Sequence, residues 1–455
     1  MAYKLLDGIR ILDLAMVFAG PMCSRMLDAL GAEVIKIESP TRPDVFTRAN
    51  VYPENDPGEE PWNRGSFFHA INAGKSGISL NLGSEKGRDI FKRLVKISDV
   101  VAENFSPRVM GNWGLDYEEL KKIKPDLIMV SMSGLGHYGP LRDFYMYVPG
   151  MEGMSGLTHL TGYPDQPPLL SGHAYGDWVL GATGAAALLT ALYHRQITGK
   201  GQYIDVAGRE AVSSHIGEVI MDSTLNGRER HRIGNQDPST ALSGCYLCKG
   251  NDEWINIAIE NNEQWERFSQ VLGNPAWTKE ERFADAPGRR TNQQELDRLI
   301  EEWTKQYDHY RAMEILQQAG VPAGAVLNMR EMHLDPHIID RGFFEVIDHG
   351  KEIGKRPIPN PMPAKFSNAE SFTPARAPIF GQDNEHVFCN LLGMSKEDLM
   401  RLVEEKVIGG NPTFPPGRPT RKDLIEKQAS GWFDPDYLSE LRAKYGAEIG
   451  KKETD

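Results

Sequence analysis

The chain has 455 residues, 40% of them hydrophobic, enough for two domains or one large α/β body with an elaboration. Its net charge of −12 argues against nucleic acid as a partner, because phosphate backbones demand a basic surface. No apolar run approaches the ~20 residues of a membrane span, four cysteines make no disulfide framework in so long a chain, and the opening Met1-Ala2-Tyr3-Lys4 leaves no room for a signal peptide, so a reduced, cytoplasmic protein is expected.

Over the first half of the chain, short β-rich runs alternate with helical patterns. Residues 9–14 read as a buried strand. A helix over 20–30 follows, with Pro21 suited to its first turn and Gly31 to its stop. Strands are expected over 33–38 and 78–82, an amphipathic helix over 84–98, and a strand over 99–103. A short helix over 117–122 precedes a strand over 127–131. The Ala-rich run 177–194 reads as a buried helix, followed by a strand over 203–206 and one helix over 210–225. This alternation is the signature of βαβ units and a parallel sheet.

From about residue 227 the texture changes. Residues 227–240 read as a polar linker, and 245–248 with 254–259 as hairpin strands of a smaller α+β unit. Helices over 263–272, 294–306 and 311–319 fit that unit, the last stopped by Gly320-Val321-Pro322. The segment 341–385 carries short strands and many prolines, and 394–406 is a last helix. Residues 409–417 read as a Pro/Gly linker before a charged tail.

Three tempting motifs fail. Gly74-Lys75-Ser76 has His69 where a phosphate-binding loop needs glycine, and it precedes a strand instead of following one. Cys245-Tyr246-Leu247-Cys248 has no second pair and lies in a strand, where free cysteine is a small hydrophobe. The first β-turn-helix lacks Gly-x-Gly-x-x-Gly. His137, His159 and His173 lack metal-ligand spacing and suit surface or capping roles.

Other segments carry chemistry. Asp177, in Ala174-Tyr175-Gly176-Asp177-Trp178, lies at or just before the start of the Ala-rich helix. There the dipole and unpaired N–H groups favour a carboxylate, as a plain cap or as a reactive group. Glycine-rich Ser133-Gly134-Leu135-Gly136 follows a strand, at the end where α/β sheets place ligands. Glu103-Asn104-Phe105-Ser106-Pro107-Arg108 also ends a strand. Asn104 there offers an amide, Phe105 an aromatic face and Arg108 a phosphate-reaching cation.

These segments occur in a telling order. Leu6-Asp7-Gly8-Ile9-Arg10-Ile11-Leu12-Asp13, Leu30-Gly31-Ala32-Glu33-Val34-Ile35-Lys36-Ile37-Glu38 and Asp99-Val100-Val101-Ala102-Glu103-Asn104-Phe105 come first. Ser133-Gly134-Leu135-Gly136, Ser155-Gly156-Leu157, Asp177 and Thr198-Gly199-Lys200-Gly201-Gln202 follow, then Gly320-Val321-Pro322-Ala323-Gly324-Ala325-Val326 and Asp335-Pro336. The ordered set resembles the class III CoA-transferases of the CaiB/BaiF type, the family of formyl-CoA:oxalate and carnitine CoA-transferases, over residues 4–408.

The resemblance implies an α/β fold: a Rossmann-like, parallel-sheet large domain built from both chain ends, a smaller inserted α+β domain, and an interlocked dimer. The matching bounds are 1–226 and 341–408 for the large domain, 227–340 for the small one, and 409–455 for a C-terminal extension. It further implies that Asp177 attacks an acyl-CoA thioester and carries first the acyl group and then CoA. A carboxylate ionised at neutral pH suits that covalent role. Acyl-CoA and a carboxylic acid are then substrates, and no metal or tightly bound cofactor is implied.

Val17, Leu80, Asn104 and Phe105 match positions that line the family's CoA site. Basic residues expected near it stand here as Ser39, Gly83 and Asn112, leaving Arg42 or Arg108 to meet the phosphates. Phe18 replaces a family glutamine and, with Tyr145, Met146, Tyr147, Met151 and Trp178, implies an apolar acyl pocket. Two other readings stay open. An acyl-CoA racemase would need a His-Asp pair where this chain has Tyr145-Met146-Tyr147-Val148. A supporting subunit of a hetero-oligomer, as in the benzylsuccinate CoA-transferases, would pair with a related chain in place of a second copy.

Overall fold

Six short strands, rich in buried apolar residues, pair side by side in one parallel sheet. They are β1 (Arg10–Asp13), β2 (Glu33–Glu38), β3 (Ser76–Ser79), β4 (Val100–Glu103), β5 (Ile128–Ser133) and β6 (Gln202–Ala207). The computed structural model describes residues 4–49, 51–237, 239–369, 375–413 and 436–451.

Parallel neighbours need crossovers, which the helices Ala19–Ala29, Glu85–Lys96, Tyr117–Ile123 and Tyr175–Thr198 supply. Alternate strand residues face opposite sides of the sheet. Leu12, Ile35, Val101 and Met129 join Phe91 and Leu94 in one core, whereas Ile11, Val34, Val100 and Ile128 join Leu27, Leu180 and Leu188 in the other. The strand order is β3-β2-β1-β4-β5-β6, so the chain reverses direction across the sheet between β1 and β4. At such a switch point the loops leaving the two carboxyl ends diverge and open a crevice.

The long helix Tyr175–Thr198 sits against Ala19–Ala29 because small residues line the seam. A Cβ added at Gly181 would stand 2.7 Å from the Ala19 carbonyl oxygen, and one at Gly184 would stand 2.6 Å from the Met132 sulfur. Beneath this seam lies a buried charge cluster. Lys75 Nζ donates to Asp13 Oδ2 at 2.8 Å, to the Pro21 carbonyl at 2.8 Å and to Asn72 Oδ1 at 2.9 Å. Lys36 Nζ donates to the Ala15 carbonyl. Burial alone would raise the Asp13 carboxyl, but the Lys36 and Lys75 ammonium groups hold it below the usual carboxylate range.

The chain divides into two compact units, one of Met1–Leu157, Leu170–Met221 and Ile339–Asp455, the other of Thr158–Leu169 and Asp222–Ile338. The first also contains an antiparallel hairpin, β10 (Phe344–Asp348) with β11 (Lys355–Pro359). A C-terminal helix Tyr437–Tyr445 is followed by a single bridge from Ile449 to Lys355. The second unit is an antiparallel sheet of β7 (Leu242–Leu247), β8 (Trp254–Ile259) and β9 (Ala323–Val326). Helices Asn262–Val271, Gln293–Thr304 and His309–Gln318 bury Phe268, Leu296 and Leu316 against it.

Several expectations need correction. The third strand is Ser76–Ser79, not 78–82, because its partner β2 ends at Glu38 opposite Ser79. The helix expected over 210–225 is two, Gly208–Ser214 and Gly217–Asn226. Tight i→i+3 bonds at His215 and Ile216 close the first one. The Ala-rich helix begins at Tyr175, which places Asp177 inside its first turn. Of the linker expected over 409–417, residues 414–417 lie outside the described residues. No described helix is long and apolar enough to cross a membrane.

Candidate active site

The loop leaving β1 is held from every side. Ala15 N–H donates to Asp13 Oδ1 at 2.9 Å. Met16 exchanges two bonds with the Asn104 side chain, 2.8 Å from its N–H to Oδ1 and 2.7 Å from Nδ2 to its carbonyl. Val17 N–H donates to Asp44 Oδ2 at 2.8 Å. These restraints keep Val17 at φ +65°, a left-handed conformation that a β-branched residue resists, at a cost of about 1–3 kcal/mol. Ala174, before the Asp177 helix, is likewise held at φ +43°. Backbone strain over-determined in this way gathers at working sites.

Val17 and Ala174 border one cavity of about 390 Å³, which Phe18, Phe46, Tyr147, Glu152, Leu170 and His173 also line. Asp177 lies on its wall. The carboxylate does not cap its helix: Ala174 is the N-cap, with no side-chain cap bond. The Asp177 N–H donates to the Ala174 carbonyl at 3.0 Å, but its carboxylate has no hydrogen-bond partner among the described residues. Burial, and then the nearby Glu152 charge, push the Asp177 carboxyl up to about 7. The Asp177 carboxyl thus holds its proton more tightly than a free aspartate does.

Glu152 is the neighbour of Asp177 that sequence reasoning missed. Only 1% exposed, it accepts the Ser171 N–H at 3.0 Å, the Ser171 hydroxyl at 2.7 Å and the Gly176 N–H at 3.3 Å. It thus ties the 171–174 strap to the first turn of the Asp177 helix. Its signal was present: a lone acid among small and apolar residues in Val148–Ser155. Replacing Glu152 with Gln removes a like charge, so an acid limb of kcat/KM that Asp177 sets should move to lower pH. A pH–rate profile unchanged from wild type sinks this assignment.

A second cavity of about 530 Å³ opens at the same end of the sheet, lined by Leu14, Met16, Leu80, Phe105 and Trp113 with Ser39, Thr41 and Arg42 at its polar side. Glu103 Oε2 accepts the Phe105 N–H at 2.7 Å and sets that turn. The candidates identified from sequence therefore separate. Val17, Phe18 and Asp177 share one cavity, Leu80 and Phe105 the other, and Asn104 ties down the loop between them. Arg108 lines neither, because its guanidinium forms a two-pronged pair with Asp143 at 2.7 and 2.6 Å.

Comparison with known proteins fits this geometry. The profile of CoA-transferase family III matches residues 6–384. A Chloroflexus aurantiacus succinyl-CoA–D-citramalate CoA-transferase is 34% identical over 404 residues, 89% of this chain and 98% of that one. The α subunit of a C. aurantiacus succinyl-CoA–L-malate CoA-transferase is 30% identical, over 89% of this chain and 92% of its own. A CAIB/BAIF family protein from Brucella suis superposes with a TM-score of 0.77 at 33% identity, covering 86% of this chain and all (100%) of that one. The chain belongs to CoA-transferase family III. It is a CoA-transferase.

Proposed function

We propose that Asp177 is the covalent carrier in the exchange of CoA between an acyl-CoA donor and a carboxylic acid acceptor. The observation that carries this reading is a carboxylate on the wall of an apolar cavity, in the first turn of a long helix, with no donor to satisfy it. Asp177 is partly exposed on that wall, so its carboxyl is free to meet a bound acyl group, and its raised proton affinity is what a reacting acid in such a place shows.

In this reading the ionised Asp177 oxygen attacks the thioester carbonyl. CoA leaves as its thiolate, and the acyl group remains as a mixed anhydride with the aspartyl carbonyl. The thiolate then attacks that aspartyl carbonyl, which expels the donor acid as a carboxylate and leaves an aspartyl-CoA thioester. The acceptor carboxylate attacks this thioester, re-forming an anhydride and releasing the thiolate. Attack of the thiolate on the new acyl carbon yields the product thioester and returns Asp177 as a carboxylate. The positive end of the 175–198 helix favours the negative charge at each tetrahedral stage.

We assign CoA to the second cavity, with Leu80 and Phe105 against its apolar parts, Val17 and Phe18 where it meets the acyl pocket, and Asn104 positioning the loop. Ser39, Thr41 and Arg42 are the groups that meet the phosphates. Arg108 would first have to release Asp143. The assembly we propose is an interlocked dimer in which the 227–340 domain is an insertion, either of two copies or with a related subunit. The malate enzyme's naming as an α subunit motivates the second form.

Incubation with an acyl-CoA, acid quench and peptide mass spectrometry should place an acyl or CoA adduct on the peptide bearing Asp177. Transfer that proceeds with the adduct on a different residue, or with none, would overturn the mechanism.

A further inference from the structure

We propose that the acyl group handled here is uncharged and apolar, an aromatic, branched or medium-length aliphatic chain carried by a monocarboxylic acid; this rests on Asp177 being the acyl carrier. The cavity beside Asp177 encloses about 390 Å³ between Phe18, Phe46, Tyr147, Val148 and Leu170. Phe18 is its hub. Its ring meets Phe46 edge-on at 5.9 Å, Phe67 at 5.6 Å and Trp178 at 6.4 Å between centroids. Aromatic walls in this arrangement accept a ring or an alkyl chain and return ordered water to bulk.

The electrostatics point the same way. No lysine or arginine stands among the described residues lining this cavity, whose acids are Asp177 and Glu152. Its one imidazole, His173, stacks on Trp178 at 6.2 Å with the rings 20° apart, and an imidazole is not a permanent cation. A free second carboxylate on the substrate would have to shed its water beside two acids with no fixed positive charge to meet it. A diacid is therefore selected against by charge as well as by shape.

The test uses the purified full chain, with the CoA thioesters of phenylacetate, isovalerate, hexanoate and succinate as donors. The same four acids and glutarate serve as acceptors, with mass spectrometric readout of new thioesters. The apolar monoacids should exceed succinate and glutarate in kcat/KM by at least about 100-fold. Phe46→Arg should narrow that ratio by at least about 10-fold, since it supplies the missing cation. Equal or better use of the diacids by wild type, or a ratio unmoved in Phe46→Arg, overturns the proposal while leaving the Asp177 mechanism standing. If no pair exchanges, the panel holds no substrate pair and says nothing against transfer through Asp177. Calorimetric titration of phenylacetate against succinate then decides the pocket's preference, with tighter succinate binding overturning it.

Discussion

Asp177→Ala should lower kcat for CoA exchange by at least about 10⁴-fold, because the proposed nucleophile is the one group whose loss removes the covalent route altogether. Folding should survive. The carboxylate has no hydrogen-bond partner among the described residues and does not cap its helix, so its removal breaks no bond and relieves the burial of a charge. The melting temperature of the variant should therefore equal or exceed that of wild type, and CoA should still bind. The two readouts separate catalysis from structure. A variant that keeps wild-type turnover removes Asp177 from the mechanism; one that loses activity only by unfolding makes it a structural acid.

Lys75→Met should be the most damaging single change to the fold. The Lys75–Asp13 pair is fully buried on both sides, and Met fills the volume while leaving the Asp13 charge without its hydrogen-bonded cation. The Asn72 amide oxygen loses its Lys75 donor at the same time, and the Pro21 carbonyl keeps only the Ser24 hydroxyl among its side-chain donors. Breaking such a pair from one side costs about 3–5 kcal/mol, a large share of the roughly 5–15 kcal/mol that holds a typical domain together. Adding Asp13→Asn should recover part of the loss, since it removes the stranded charge. Urea denaturation of the three variants measures this, and a Lys75→Met loss below about 1 kcal/mol would mean that Lys36 alone neutralises Asp13. Transfer should fall as well, because Asp13 also anchors the Ala15 N–H at the base of the strained Val17 loop.

The reading of Lys75 shows why parts of the site were hidden. In the sequence, Gly74-Lys75-Ser76 resembled a failed phosphate loop, and nothing local tied Lys75 to Asp13, 62 positions away. Glu152 was equally obscure, since its partners Ser171 and Gly176 come from a different segment. Arg108 erred in the other direction. Its place at the end of a strand was right for a phosphate ligand, but Asp143 occupies its guanidinium, and the exposed Arg42 stands in the cavity instead.

Local pattern was sufficient for the parallel sheet, because strands buried on both faces must be apolar and their crossover helices must be amphipathic. For Asp177, an acid in a small-residue turn before an apolar helix, local pattern left a plain cap and a reactive group both open. The chemistry of that acid was decided only by tertiary structure. Burial in the cavity wall and the proximity of Glu152 raise its carboxyl to about 7, and both arise from segments far apart in the chain, those around Val17, Phe46, Glu152 and His173. Desolvation and charge proximity depend on what surrounds a group in space, and no spacing along a chain encodes that directly.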